Sequence, residues 1–376
     1  MRTGFLLIAG CMSLWSSVLC SELPCRAEDP LCGPKAGLVL IASLPVARFG
    51  FSDSGQTLCY DTAGATISCT DTGWPRQDGS LISPRSRDFL GPLTRADFPA
   101  DHYTVDRNTR LVWRTCAQGQ SGAGCATGSA LSFTNDDGVG SATDQCQSLN
   151  LANAGLGYAG RQNWRLPTIN ELISINDYGR ASPSLDPGHF PASTSGFYWS
   201  STDDVNYPGF RFTLQLIGGF ADSVLQTNPN EVRCVSGDAQ ATPLRVVNTD
   251  GTVTDWTNGL VWQRCVSGKN NDANCSGAHS THGWQAALQY CSNLNLAGFT
   301  DWRLPSVVEL NSIPDRSLAT GIDSYLFPGS PALPFWTSTS VTSTTNNAWR
   351  VEFPDAVVSS DYDKTDSYPV RCVRSL

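Results

Sequence analysis

One pattern of cysteines and tryptophans occurs twice in the chain, and this internal repeat restricts the fold more than any other feature. Both copies run through Leu-Val-Trp, two cysteines, a third cysteine before Leu-Asn-Leu-Ala, then Trp-Arg-Leu-Pro and Val-Arg-Cys-Val. Trp164 and Trp302 are 138 positions apart, and so are the closing Cys234 and Cys372. Each copy is long enough for a hydrophobic core of its own, so the repeat predicts two tandem domains and not a solenoid.

These landmarks divide the chain of 376 residues into four parts. We expect a signal peptide over 1–20, an N-terminal disulfide-bearing segment of strands and loops over 21–103, copy 1 over 104–240 and copy 2 over 249–376. The signal peptide is indicated by a basic start and an apolar run that is too short and interrupted to cross a bilayer. The protein is therefore expected in the periplasm, on the cell surface or secreted, with no transmembrane segment.

The end of the signal peptide has two interpretations. The sequence around Cys11 resembles the box before a lipid-modified cysteine, which would make the protein a lipoprotein. Cleavage near Cys20 instead leaves twelve of the 14 cysteines, an even number that suits disulfides. We favour cleavage near Cys20, and lipidation at Cys11 remains the alternative.

Each copy has four cysteines at matching places, which predicts two disulfides per domain. The absence of any Cys-X-X-Cys knuckle and the expected export favour disulfides over zinc. Because four cysteines allow three connectivities, the pairing rests on the equivalence of the copies. The expected pairs are Cys25–Cys32, Cys59–Cys69, Cys116–Cys125, Cys146–Cys234, Cys265–Cys275 and Cys291–Cys372.

Two helices per copy are expected among short strands and loops. Apolar residues at helical spacing predict a helix from Trp284 to Leu294 with Cys291 on its buried face. A second helix is predicted after Pro305, where Ser306 and Glu309 have the spacing of a capping box; Thr168 and Glu171 repeat it in copy 1. The fold class is α+β: two helices packed on small twisted antiparallel sheets, with a disulfide from the first helix to the last strand.

The ordered motifs resemble the Lcl C-terminal domain family, named for the C-terminal domain of the Legionella collagen-like adhesin. The resemblance rests on Leu-Val-Trp, Trp-Arg-Leu-Pro followed by Glu-Leu, and Val-Arg-Cys-Val, in both copies. It implies two tandem C-type-lectin-like domains in an exported bacterial protein. For the adhesin itself, the family implies binding of sulfated polysaccharides on host surfaces.

Residues shared by the two copies are interpreted as structural. Six tryptophans at matched positions are expected in the core, with stacking on sugars as the alternative: Trp113, Trp164, Trp199, Trp262, Trp302 and Trp336. The repeated structural motif comprises Trp164, Arg165, Pro167 and Glu171, and Trp302, Arg303, Pro305 and Glu309. Each Arg–Glu pair is expected to form a buried salt bridge or helix cap, and the alternative is an acid–base pair.

Calcium is the one cofactor with any candidate ligands, and no other cofactor is expected. Asp361, Asp363 and Asp366 lie in a loop of copy 2, and Asp203 and Asp204 lie in a loop of copy 1. Carboxylate oxygens suit calcium, but the loops lack the glycine and closing glutamate of an EF-hand. Solvated acidic loops are the alternative interpretation.

The sequence favours a binding protein over an enzyme. It contains no Gly-X-Ser-X-Gly, His-Glu-X-X-His or P-loop motif, and every mature cysteine has a disulfide partner, which leaves no thiolate for an oxidoreductase of the formylglycine-generating type. The net charge of −9, with only three lysines, argues against nucleic acid. We expect adhesion through a glycan or a surface protein, and the alternative is a structural component of the cell envelope.

Overall fold

The computed structural model describes residues 50–81, 85–239 and 242–376. The expected signal peptide, the lipidation alternative at Cys11 and the Cys25–Cys32 pair lie outside the described residues. Within those residues, no helix has the length and apolar character needed to cross a membrane.

The strands are short and numerous, as the glycine-rich and proline-rich composition predicts. Up to the end of copy 1 they are β1 (Cys59–Tyr60), β2 (Thr66–Ile67), β3 (Phe89–Arg95), β4 (Phe98–Asp106), β5 (Val112–Arg114), β6 (Gln120–Ser121), β7 (Thr127–Gly128), β8 (Ser132–Phe133), β9 (Trp164–Arg165), β10 (Phe197–Asp203), β11 (Phe210–Gln215), β12 (Phe220–Leu225), β13 (Asn230–Glu231) and β14 (Val235–Ser236). In copy 2 they are β15 (Arg245–Val247), β16 (Thr252–Asp255), β17 (Leu260–Gln263), β18 (Pro334–Ser340), β19 (Ala348–Glu352), β20 (Val358–Ser359) and β21 (Val373–Ser375).

Two helices in each copy are where the sequence places them, and a further four-residue helix at Ala152–Gly155 was not predicted; Asn153 and Ala154 within it have positive φ. The helices are α1 (Ala142–Ser148), α2 (Ala152–Gly155), α3 (Ile169–Ile175), α4 (Trp284–Ser292) and α5 (Val307–Leu310), with 3-10 turns at Asp78–Ser80, Leu149–Leu151 and Tyr158–Gly160. Both predicted capping boxes are confirmed: Thr168 and Ser306 each accept from the backbone of a glutamate three residues on, whose carboxylate accepts in return. These caps satisfy backbone N–H groups that a short helix leaves unpaired.

Five disulfides join the ten cysteines of the described residues, and they are the pairs predicted from the repeat. Short loops are closed by Cys59–Cys69, Cys116–Cys125 and Cys265–Cys275, and long loops by Cys146–Cys234 and Cys291–Cys372. The long bridges tie α1 and α4 to residues beside β14 and β21. In the chain-entropy model, loops of 88 and 81 residues stabilise by roughly 4 to 5 kcal/mol each.

The strands do not form two separate antiparallel sets, one for each copy, as the sequence predicts. A five-stranded sheet in the order β3-β4-β5-β14-β9 joins copy 1 to β3 and most of β4 from the expected N-terminal segment. A four-stranded sheet in the order β15-β16-β17-β21 joins copy 2 to β15, which directly precedes it. An eight-stranded sheet in the order β18-β19-β20-β12-β11-β10-β13-β8 contains strands of both copies. It also includes a parallel pair, β10 with β13, so the expectation of purely antiparallel sheets is wrong there.

The two copies meet edge to edge inside the eight-stranded sheet. Ala221 of β12 pairs antiparallel with Val358 of β20. These residues are 137 positions apart, the same separation as Trp199 and Trp336, so they are equivalent residues of the two copies. A pair of equivalent residues on antiparallel strands is the arrangement of an isologous dimer, and the chain therefore contains an internal pseudo-two-fold axis.

Contacts on either side of this axis are reciprocal. Tyr178 of copy 1 packs edge-on against Trp349 of copy 2, with ring centroids 5.1 Å apart. Its equivalent in copy 2, Arg316, lies over Phe212 of copy 1 at 4.9 Å. Burial lowers the pKa of Arg316 to about 10.

One hydrophobic cluster runs through both copies and includes the rings of Phe212 and Trp349. A second cluster, which includes Trp284, Trp302 and Trp336, lies within copy 2, so the copies share one part of the core and copy 2 also has a part of its own. The copies share a cluster because the eight-stranded sheet is continuous from one copy to the other. The apolar residues on its inner face are therefore buried together.

Residues 50–81 cross from one copy to the other. Gln56 exchanges two side-chain hydrogen bonds with the backbone of Ser340 in copy 2, at 2.7 and 2.9 Å. On the copy 1 side, the backbone N–H of Tyr178 donates to the carbonyl of Ser54 at 2.8 Å. The predicted hairpin between Cys59 and Cys69 is present as β1 paired with β2. This segment is part of the same folded body as the two copies.

Candidate functional site

The six matched tryptophans are core residues. Each is at most 1% exposed: Trp113, Trp164, Trp199, Trp262, Trp302 and Trp336. Their rings cannot stack on a ligand without unfolding the domain, so the alternative of stacking on sugars is wrong for these positions.

The two Arg–Glu pairs are buried salt bridges that also cap helices. Arg303 donates to both carboxylate oxygens of Glu309 at 2.6 Å, and Arg165 donates to Glu171 at 2.7 and 2.8 Å. Both carboxylates are fully buried. Each glutamate also accepts from the backbone N–H of its N-cap residue. With their oxygens occupied in this way, the glutamates hold α3 and α5 in place.

The prolines of the same motif accept hydrogen bonds from neighbouring strands. The carbonyl of Pro167 accepts from Ser201 at 2.7 Å, and the carbonyl of Pro305 accepts from Ser338 at 2.8 Å. Each joins the start of a capped helix to the neighbouring strand, β10 or β18. The whole Trp-Arg-Leu-Pro motif is thus a structural unit.

The acidic loop of copy 2 is a folded turn. Asp363 accepts from the backbone and hydroxyl of Thr365 at 2.9 and 2.8 Å, and from Asn346 at 3.1 Å. Asp361 accepts a long hydrogen bond from its neighbour Ser360. Across the described residues, no three His, Cys, Asp or Glu side chains are grouped so that they could hold a metal ion.

The aspartates of the copy 1 loop also have protein partners. Asp203 forms an ion pair with Arg211 at 2.8 Å. Asp204 accepts from the backbone of Asn206 and from the hydroxyl of Ser223.

Two side chains of the acidic turn of copy 2 point in opposite directions. Lys364 points inward, where its ammonium donates to the carbonyls of Asp61 and Thr345 and lies 4.1 Å from the ring of Trp284. Burial lowers the pKa of Lys364 to about 7. Tyr362 points outward and is 40% exposed. The turn therefore presents one aromatic ring to solvent at a fixed place.

The Tyr362 ring lies on a buried guanidinium. The Cζ of Arg350 is 3.1 Å from the ring centroid of Tyr362 and 4.6 Å from that of Tyr368. Tyr368 in turn packs edge-on against Tyr362 and Trp336, at 5.7 and 5.1 Å. Since one face of the Tyr362 ring covers Arg350, its exposed area is on the other side.

Arg350 is held by stacking more than by hydrogen bonds. The side chain is fully buried, and Nη2 donates to Ser359 at 3.1 Å and weakly to Glu352 at 3.4 Å. Nε and Nη1 are buried without a hydrogen-bond partner among the described residues. Leaving buried donors unpaired costs about 1 to 3 kcal/mol each. The two ring contacts of Arg350 partly offset this cost, because a cation is attracted to the face of an aromatic ring.

Two further side chains border the ring stack. Glu352 accepts from the hydroxyl of Ser359 at 2.6 Å, and its side chain is 29% exposed. His282 packs on Tyr290 at 5.0 Å, and its backbone exchanges hydrogen bonds with that of Tyr368. Burial lowers the pKa of His282, so this imidazole is neutral at physiological pH. We call Arg350, Glu352, Tyr362 and Tyr368 the Arg350 site.

Copy 1 does not repeat this arrangement. At the separation of 137 residues that holds for β11 and β19, Arg350 and Glu352 correspond to Thr213 and Gln215. Tyr362 corresponds to Val224, because Asn347 pairs with Asp363 where the equivalent Phe210 pairs with Leu225. The Arg350 site was not predicted from the sequence, because the candidate residues were chosen mainly from positions that the two copies share or from acidic loops. The detectable signal was an arginine between Trp349 and Val351 in a strand otherwise apolar until Glu352.

The described part of the molecule is a disulfide-stapled α+β protein with two tandem, joined domains and an exposed aromatic site on one of them. Its disulfides indicate folding in an oxidising compartment outside the cytoplasm. The family model of the Lcl C-terminal domain matches residues 102–236 and 251–374, more than half of the chain. The chain belongs to the Lcl C-terminal domain family. No curated protein sequence matches it.

Proposed function

We propose that this protein is an exported adhesion module that binds a glycan at the Arg350 site of copy 2. The observation that carries the proposal is the ring of Tyr362, which is exposed on one side and fixed on the other by a buried guanidinium. An exposed tyrosine at a surface loop is ordinary, but one anchored on a buried arginine is pre-organised. Pre-organised aromatic rings lose little entropy when they bind a ligand.

The neighbouring groups suit a sugar. Sugars combine apolar C–H faces with hydroxyl groups that both donate and accept hydrogen bonds. The Tyr362 ring supplies an apolar platform, and the partly exposed carboxylate of Glu352, 3.4 Å from the guanidinium on which the ring lies, supplies an acceptor. A few polar groups next to an aromatic surface are the usual composition of a ligand site.

The proposed role is binding and not catalysis. All ten cysteines of the described residues are in disulfides, so none of them supplies the thiolate that a formylglycine-generating type of oxidoreductase uses. The buried Glu171 and Glu309 are engaged in salt bridges and caps, which makes them poor candidates for proton transfer to a ligand.

The test is a glycan array probed with the oxidised protein, with calcium and then with EDTA. We expect selective binding that survives EDTA, and we expect Tyr362→Ala to weaken it roughly tenfold, the loss expected for one aromatic contact. Tyr325→Ala is the matched control, because Tyr325 is 73% exposed elsewhere on copy 2. Equal binding by wild type and Tyr362→Ala would refute the assignment of the site.

A protein partner is the second candidate, and a row of exposed apolar residues favours it. Leu244, Trp256 and Leu376 directly flank β15, β16 and β21 at one end of the four-stranded sheet and are each more than 40% exposed. Exposed apolar patches on extracellular domains are typical of protein contacts. If the folded protein binds no glycan on the array, a protein partner becomes the leading candidate.

A further inference from the structure

We infer that the Arg350 site selects an uncharged, hydroxyl-rich sugar and that each chain binds one such ligand, in copy 2. The inference rests on the proposed function and specifies its ligand class and stoichiometry. It is carried by the charges that surround the exposed ring on each side.

Anionic ligands are disfavoured by the carboxylates around the ring. Glu352 borders the stack, and Asp361, Asp363 and Asp366 belong to the turn that carries Tyr362. The nearest lysine, Lys364, is buried and donates to two backbone carbonyls, so it offers no charge to a ligand at the surface. A sulfate or uronate group at the ring would approach like charges with no compensating donor at the surface.

Cationic ligands are disfavoured from the opposite side of the ring. The π face of an aromatic ring attracts a cation through its quadrupole. In Tyr362 this attraction is already used by Arg350, whose Cζ is 3.1 Å from the ring centroid. A second cation on the outer face would be repelled by that guanidinium across the thickness of one ring. The carboxylates of Glu352 and of the turn attract a cation to the same region, and the Arg350 guanidinium opposes that attraction at the ring itself.

An uncharged sugar meets neither penalty. Its C–H face can pack on the outer side of Tyr362, and a hydroxyl can donate to the carboxylate of Glu352. Glu352 is held in place by Ser359, whose hydroxyl donates to it at 2.6 Å. Arg350 acts as a positioning residue, since it holds the ring and contacts Glu352 but is itself fully buried.

One ligand per chain follows from the difference between the copies. At the three equivalent positions copy 1 has Thr213, Gln215 and Val224, which provide neither a ring, nor a guanidinium, nor a carboxylate. The one arginine on the same strand of copy 1, Arg211, is engaged by Asp137 and Asp203. Copy 1 therefore has the fold without the site.

The experiment compares uncharged, acidic and basic polysaccharides as probes of the full-length oxidised protein. Uncharged galactan, mannan and glucan oligosaccharides are paired with polygalacturonate, heparin and chitosan, and binding is measured by calorimetry at low and high salt. We expect binding within the uncharged set, insensitive to salt, with one site per chain. Preference for an acidic or basic probe, falling with salt, would overturn the inference.

Variants separate this inference from the proposed function. Tyr362→Phe keeps the ring and should bind as wild type, and Val224→Ala in copy 1 is the matched control expected to have no effect. Glu352→Gln should weaken uncharged ligands several-fold and raise the relative affinity for polygalacturonate. Loss of binding in Tyr362→Ala together with an acidic best ligand, or with two sites per chain, would sustain the proposed function and defeat the inference.

Discussion

Ala221 and Val358 are equivalent residues of the two copies, and they pair with each other where the strands of the two copies meet in an eight-stranded sheet. Both are fully buried. The two copies are thus not independent domains joined by a flexible linker. Their relative orientation is set by backbone pairing and by a common core. A ligand bound to copy 2 is held at a fixed place relative to copy 1.

Introducing a charge at this pair should unfold both copies together. Val358→Asp places an unpaired carboxylate in the shared core, and we expect a loss of several kcal/mol in the free energy of unfolding. Calorimetry should show one transition at a lower temperature. Val246→Asp, at a position 44% exposed, should change little. Two separate transitions in the variant, with one at the wild-type temperature, would show that the copies fold independently.

The long disulfides should matter more than the short ones. Cys146–Cys234 spans 88 residues and Cys116–Cys125 spans 9, so chain entropy predicts a difference of about 2 kcal/mol between their contributions. The measurement is denaturant unfolding of two double serine variants, one for each bridge. A larger loss on removing the short bridge would contradict the chain-entropy account for this fold.

Glu309→Gln should destabilise the protein more than Glu171→Gln. Both changes leave a partner arginine without its carboxylate, but Arg303 is 7% exposed and Arg165 is 25% exposed. Breaking a buried pair costs about 3 to 5 kcal/mol, and solvent lowers the cost at Arg165. Chemical denaturation of both variants checks the order, and equal losses would show that the caps, not the ion pairs, dominate.

Asp78 should make the stability depend on pH. Burial, with Asp53 nearby, raises the pKa of Asp78 from 3.8 to about 7 in the folded state. The folded protein therefore holds a proton that the unfolded chain releases above about pH 4. The stabilisation from this group is complete below that pH and is lost as pH rises to about 7, by about 4 kcal/mol at most.

Asp78→Asn removes this titration, so the variant should show a flatter stability profile between pH 4 and 7. It should also be more stable than wild type above pH 7. Thermal unfolding across this range provides the measurement, with the exposed Asp97→Asn as control. A wild-type slope that persists in Asp78→Asn would assign the titration to another group.

Local and repeated features were predictable from the sequence, and long-range ones were not. The capping boxes at Thr168 and Ser306 depend on residues three apart, and the disulfides follow from two copies of one cysteine pattern. The pairing of Ala221 with Val358 joins strand edges that carry no sequence signal for a partner. The contact of Arg350 with Tyr362 depends on a turn that folds back over a strand.

The N-terminal segment shows the same limit. Residues 50–81 were expected to be a separate region of strands and loops, yet Gln56 and Arg76 bind backbone atoms of copy 2 far along the chain. Polar side chains that pair with distant backbone groups are indistinguishable in sequence from solvated ones. Position in the chain therefore indicated a separate segment, while hydrogen bonding made it an integral one.

The internal two-fold arrangement has a consequence for dilution. A protein with only one copy would leave the edge of β12 or β20 unpaired unless it associated with a second molecule. Its folded fraction would therefore decrease on dilution. In this chain the second edge is covalently attached, so association is a first-order event. The assembled form therefore persists at any concentration of the protein.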